Sequence, residues 1–125
     1  MLQPLDVIKI FDRAIEPPNW KMVVCICPRE GLFYRINSYD DFPIGVPILK
    51  DPDHRFLKWD SFIECGRYAI ELDDHQIGEA LKQSGGKPVG RIARSYAQEI
   101  VGAVQLQPTI SREVKRLIAA ALGGV

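Results

Sequence analysis

The sequence predicts an α+β domain, a small and partly open antiparallel β-barrel followed by C-terminal helices, and three observations predict it. Up to residue 72 the apolar residues come in short β-branched or alternating runs. Beyond Asp73 they recur at helical spacing, and the links between the early runs are short and turn-rich, as hairpins require. A chain of 125 residues suffices for one core, so a single domain is read over 1–125, with strands over about 5–72 and helices over about 74–122.

The first strand is read over 5–11 (LDVIKIF), and the Pro17-Pro18 pair beyond it can continue neither a helix nor a ladder. Residues 22–27 (MVVCIC) form the best central strand, continuous, β-branched and bounded by Pro28 and the Arg29-Glu30-Gly31 turn. Residues 32–37 alternate Phe33, Arg35 and Asn37 against Leu32, Tyr34 and Ile36, the pattern of a half-exposed hairpin partner. Residues 46–49 are a short strand whose Pro47 argues for an edge. On either side of Gly66, SFIEC and RYAIEL read as one long strand bent or bulged at the glycine.

Asp73 and Gln76 stand at capping-box spacing and predict a helix over 74–82, ended by Ser84-Gly85-Gly86. Ile92, Tyr96, Ile100 and Val104 give a second helix an apolar stripe over 91–105. The third begins near Ser111 and carries Val114, Leu117, Ile118, Ala121 and Leu122 on one face.

Sixteen basic and sixteen acidic residues cancel, so no global field recruits nucleic acid or an anionic membrane. The distribution is uneven: residues 39–81 hold ten acids and four bases, residues 82–116 seven bases and two acids. That asymmetry suits a polar partner, a second copy of the chain, or simply a mixed solvated surface. No apolar run approaches the roughly 20 residues that span a bilayer, so no membrane is expected and a soluble, cytoplasmic protein is read. Cys25, Cys27 and Cys65 are odd in number and read as reduced thiols. Cys25 and Cys27 are expected on one strand face as small buried hydrophobes, and with His54 and His75 they lack zinc-site spacing, so neither metal nor cofactor is expected.

The segment FLKWDSFIEC, over 56–65, places Asp60 and Ser61 where a loop becomes a strand, a position at which such side chains bond nearby backbone and shape the turn. Together with KMVVCIC, LFYRINS, GVPILK, KWDSFIECGRYAIELDDHQI and the tail KPVGRIARSYAQEIVGAV, in that order, it resembles the PemK/MazF family of growth-inhibiting toxins from Lys21 onward. The resemblance implies an SH3-like barrel with helices, metal-independent cleavage of single-stranded RNA, a small antitoxin protein as partner, and a homodimer. It sets Lys21 where the family has a catalytic arginine and Asn37 where it has a threonine, with Ser38 beside it.

The implied chemistry is a transesterification, in which a base takes the 2′-hydroxyl proton and a cation meets the charge on phosphorus. Lysine offers a point charge where arginine offers a fork, and asparagine can bond a base or phosphate but carries no proton. His54 and Arg55, in the loop before Asp60, are candidates for the missing base and cation. Trp59 reads as a stacking platform or a barrel-end plug, and Arg35 as facing nucleic acid or only water. The rival reading is a noncatalytic barrel module that binds a protein or peptide.

Overall fold

The computed structural model describes residues 1–39, 45–65 and 69–125. Alternating and β-branched runs form β1 (Asp6–Asp12), β2 (Asn19–Cys27), β3 (Leu32–Asn37), β4 (Val46–Ile48), β5 (Ser61–Ile63) and β6 (Ile70–Glu71). Helix α1 (Asp74–Gln83) follows, then a two-residue strand β7 (Gly90–Arg91), and helices α2 (Ala97–Gln105) and α3 (Arg112–Gly123). The strands pair antiparallel in the order β4-β5-β3-β2-β1-β7 and curl into a half-barrel. Among the described residues, no helix is long and apolar enough to cross a membrane.

β3 is the hub because both of its edges are used. One pairs with β2, Val23 opposite Arg35 and Val24 opposite Tyr34. The other is shared: β5 takes Ile36 and Asn37, and β6 takes Leu32 and Phe33. The two halves of the long strand read over 61–72 therefore both lie along β3, while the expected bend at Gly66 falls outside the described residues.

The sheet is buried on both faces, and here the structure corrects the half-exposed reading of β3. Leu5, Val7, Val24, Ile26, Tyr34 and Ile63 fill the concave side, closed by Ile100 and Val104 of α2 and Ile118 and Leu122 of α3. On the other side Ile8, Val23, Cys25 and Phe33 form a second apolar patch, which α1 covers with Ala80, Ile77 and Leu81. Phe33 is thus fully buried although strict alternation gives its face to water. Cys25 and Cys27 are also corrected. The register shifts between them, and this irregularity sends Cys25 to the α1 side and Cys27 to the concave side.

The helix starts follow their caps. Asp73 accepts from Gln76 N–H at 2.8 Å while Gln76 Oε1 accepts from Asp73 N–H at 2.9 Å, so two otherwise unpaired donors are satisfied. Ser111 Oγ accepts from Val114 N–H at 3.2 Å. The second helix starts later than its apolar stripe suggests. Residues 90–92 are drawn into the sheet, with Gly90 opposite Val7 and Ile92 N–H donating to Leu5 O at 2.9 Å, so helical turns begin only at Arg94.

Candidate nucleic-acid interface

The alternation that fills the concave core continues past its rim. On β1 the face of Val7 goes on to Lys9; on β2 that of Val24 and Met22 goes on to Trp20; on β3 that of Tyr34 and Ile36 reaches Ser38. These side chains, with Phe56, Lys58 and Trp59 from the β4–β5 loop and Ser61 of β5, surround a groove of about 340 Å³ at the open mouth of the half-barrel. Lys21 also borders it, which brings three lysines and two tryptophans together, and among the described residues no carboxylate lines it. Trp20 and Trp59 stand 44% and 57% exposed, so both side chains are within reach of a ligand.

The groove wall is braced by backbone contacts. Asp60 Oδ1 accepts from Lys50 N–H at 2.8 Å, joining the end of β4 to the start of β5, and the buried Ser61 hydroxyl donates to Trp59 O at 3.0 Å. Phe56 reaches β7 where Gly90 leaves room: a Cβ at that position would fall inside the Phe56 ring.

Behind the groove lies a layer of charge that reading single residues did not reveal. Register sets Asp12 of β1, Lys21 of β2 and Arg35 of β3 on the α1 face of the sheet, and Glu64, whose N–H bonds Arg35 O, follows β5 beside them. Arg35 Nε donates to Asp12 Oδ2 at 2.6 Å, a pair that bridges across β2 and is largely shielded from solvent. Burial works against the Asp12 carboxylate, yet the hydrogen bond and charge of Arg35 hold its pKa below the usual range. Burial lowers the pKa of Lys21, opposed by Glu64 and reinforced by Arg35.

The residues singled out from sequence therefore separate. Lys21, Ser38, Trp59 and Ser61 meet at the groove. Arg35 is committed to Asp12, and Asn37 sits half-buried on β3 opposite Phe62, off the groove lining. Arg55 is exposed on its loop, outside the groove lining. His54 is the largest departure, because it is fully buried. Its Nε2 accepts from Ala93 N–H at 2.9 Å, which leaves Nδ1 to donate to Leu49 O. Both ring nitrogens are occupied by the fold, so the ring has no lone pair to offer a substrate proton.

Lys9, Trp20 and Lys58 are the groove residues that sequence reading missed. For Lys9 and Trp20 the signal was present as the polar or aromatic continuation of strand alternation beyond the last core residue, whereas Lys58 lies in the β4–β5 loop. Among the described residues, no group of three or more His, Cys, Asp or Glu side chains is placed to hold a metal ion. Burial pushes the Cys25 and Cys65 thiols up to about 12, so neither supplies a thiolate near neutrality. Comparison with family models, with curated proteins and with solved structures finds no match to this chain.

Proposed function

We propose that the chain is a PemK/MazF-like protein whose SH3-like barrel binds single-stranded RNA in the mouth groove and cleaves it without a metal, as a toxin-type endoribonuclease. One observation carries the reading: three lysines and two exposed tryptophans converge on a groove that, among the described residues, no carboxylate lines. Lysines hold phosphates as point charges, and tryptophan faces stack on bases of any identity, the combination that single-stranded nucleic acid requires.

Lys21 carries the chemistry in this proposal. Burial disfavours its ammonium form, so it reaches the free amine more readily than an exposed lysine and can take the 2′-hydroxyl proton. The 2′-oxygen then attacks phosphorus, the bond to the 5′-oxygen breaks, and that oxygen leaves with a proton from solvent water, to which Lys21 returns the proton it took. Lys9 and Lys58 meet the charge that develops on the phosphoryl oxygens. An acidic antitoxin would occupy the same lysines.

A second reading, a noncatalytic module for an acidic peptide, is favoured by one fact: among the described residues neither a histidine nor a carboxylate lines the groove. Incubation with mixed single-stranded RNA in EDTA, followed by mapping of the new 5′ ends, separates the two. Cleavage by the wild-type chain, abolished in Lys21→Ala, supports the nuclease. Intact RNA together with tight binding of an acidic peptide supports the module.

A further inference from the structure

A second cleft, of about 440 Å³, opens between α1 and the β1–β2 hairpin. The two share Lys9 and Trp20, which line both. The hairpin wall of the cleft is aromatic and basic. Phe11 meets Trp20 edge to face, ring centroids 5.6 Å apart, and the Arg13 guanidinium lies 5.1 Å over the Phe11 ring. The helix wall presents His75 and Gln76. Among the described residues one carboxylate lines the cleft, Glu79, which pairs with Lys82 Nζ at 3.2 Å.

We infer that the cleft is the second half of one binding track: the single strand held at the mouth continues past Trp20 and lays its next nucleotides between Phe11, Arg13 and His75. The inference rests on the proposed RNA-binding function and extends it to a site size. Three features argue for it. Trp20 and Lys9 belong to both hollows, so a strand leaving one enters the other along residues common to the two. Phe11 is 41% exposed and, set edge to face with Trp20, offers a further aromatic contact beside it. Arg13 is exposed at the hairpin end, positioned both for a phosphate and for stacking against a base.

The test compares binding of labelled single-stranded RNA of about four and about eight nucleotides, lengths within the usual range for single-strand binders. The octanucleotide should bind the wild-type chain at least about fivefold tighter than the tetranucleotide, the smaller end of what one further stacked base supplies. Arg13→Ala/His75→Ala, which alters two exposed side chains, should return the octanucleotide to the tetranucleotide's affinity. Trp59→Ala should weaken both lengths. Equal affinity for the two lengths, or an octanucleotide indifferent to the double variant, overturns the extended track while leaving the mouth groove standing. Binding of neither length overturns both.

Discussion

His54 Nε2 accepts the N–H of Ala93 at 2.9 Å, and through that bond a loop histidine ties the end of β4 to the segment that leads into α2. The ring is buried against Phe56 and Tyr96, with centroids 6.0 and 5.4 Å away. His54→Ala leaves a cavity and strands a buried donor and a buried acceptor. We expect a loss of about 3 kcal/mol or more of stability, read as a lower urea midpoint with unchanged slope. A midpoint equal to wild type would remove His54 as a strut.

One substitution, made at two glycines, should act with opposite signs. Gly90→Ala drives a methyl into the Phe56 ring at the base of the groove and should cost about 1–3 kcal/mol. Gly102→Ala, inside α2 with open space around the new Cβ, should stabilise by up to about 1 kcal/mol through helix propensity. Thermal melts of the two variants decide it, and a shift in the same direction for both would contradict the packing described.

The Asp12–Arg35 pair makes stability acid-sensitive. The folded-state pKa of Asp12 lies below its unfolded value, so the pair's contribution is present above about pH 4 and is lost as pH falls through the folded value. Asp12→Asn should flatten that part of the stability profile. Arg35→Met, which leaves a buried carboxylate without its partner, should cost about 3 kcal/mol near neutrality. Profiles of wild type and Asp12→Asn that run parallel below pH 4 would refute the assignment.

Cys25 and Cys65 should resist alkylation. With both thiols buried and pushed up to about 12, neither should react at pH 8 in the native state, and both should react once urea unfolds the chain. Rapid native-state labelling of either, located by mass spectrometry, would count against its burial.

What was legible in the sequence had local causes. The β-branched run of β2, the capping box at Asp73 and Gln76 and the Ser111 cap act through neighbours a few residues away, and all appear where their patterns predict. What was not legible depends on distant partners. Phe33 suits a core or interface by type, yet its strand face reads as half-exposed until α1 is known to cover it. Gly90 and Arg91 carry no strand pattern, yet β1 offers them an open edge. His54 follows Pro52 and Asp53, a turn-like context that suggests solvent, and only the return of Ala93 from 39 residues away buries it. The groove was half visible for the same reason. Trp59 and Lys21 stand out alone, whereas Lys9 and Lys58 look like ordinary solvated lysines until the curled sheet brings them together.

The central claim, that the mouth groove holds single-stranded RNA, is tested most directly by fluorescence anisotropy of a labelled single strand across a salt series. If Lys9 and Lys58 each neutralise a phosphate, log K should fall with log salt at a slope of about −1.4, and Lys58→Ala should reduce the slope by about 0.7. Trp59→Ala should cost about 1–3 kcal/mol of binding, with the slope unchanged. Affinity and slope that both variants leave at the wild-type values would contradict the account.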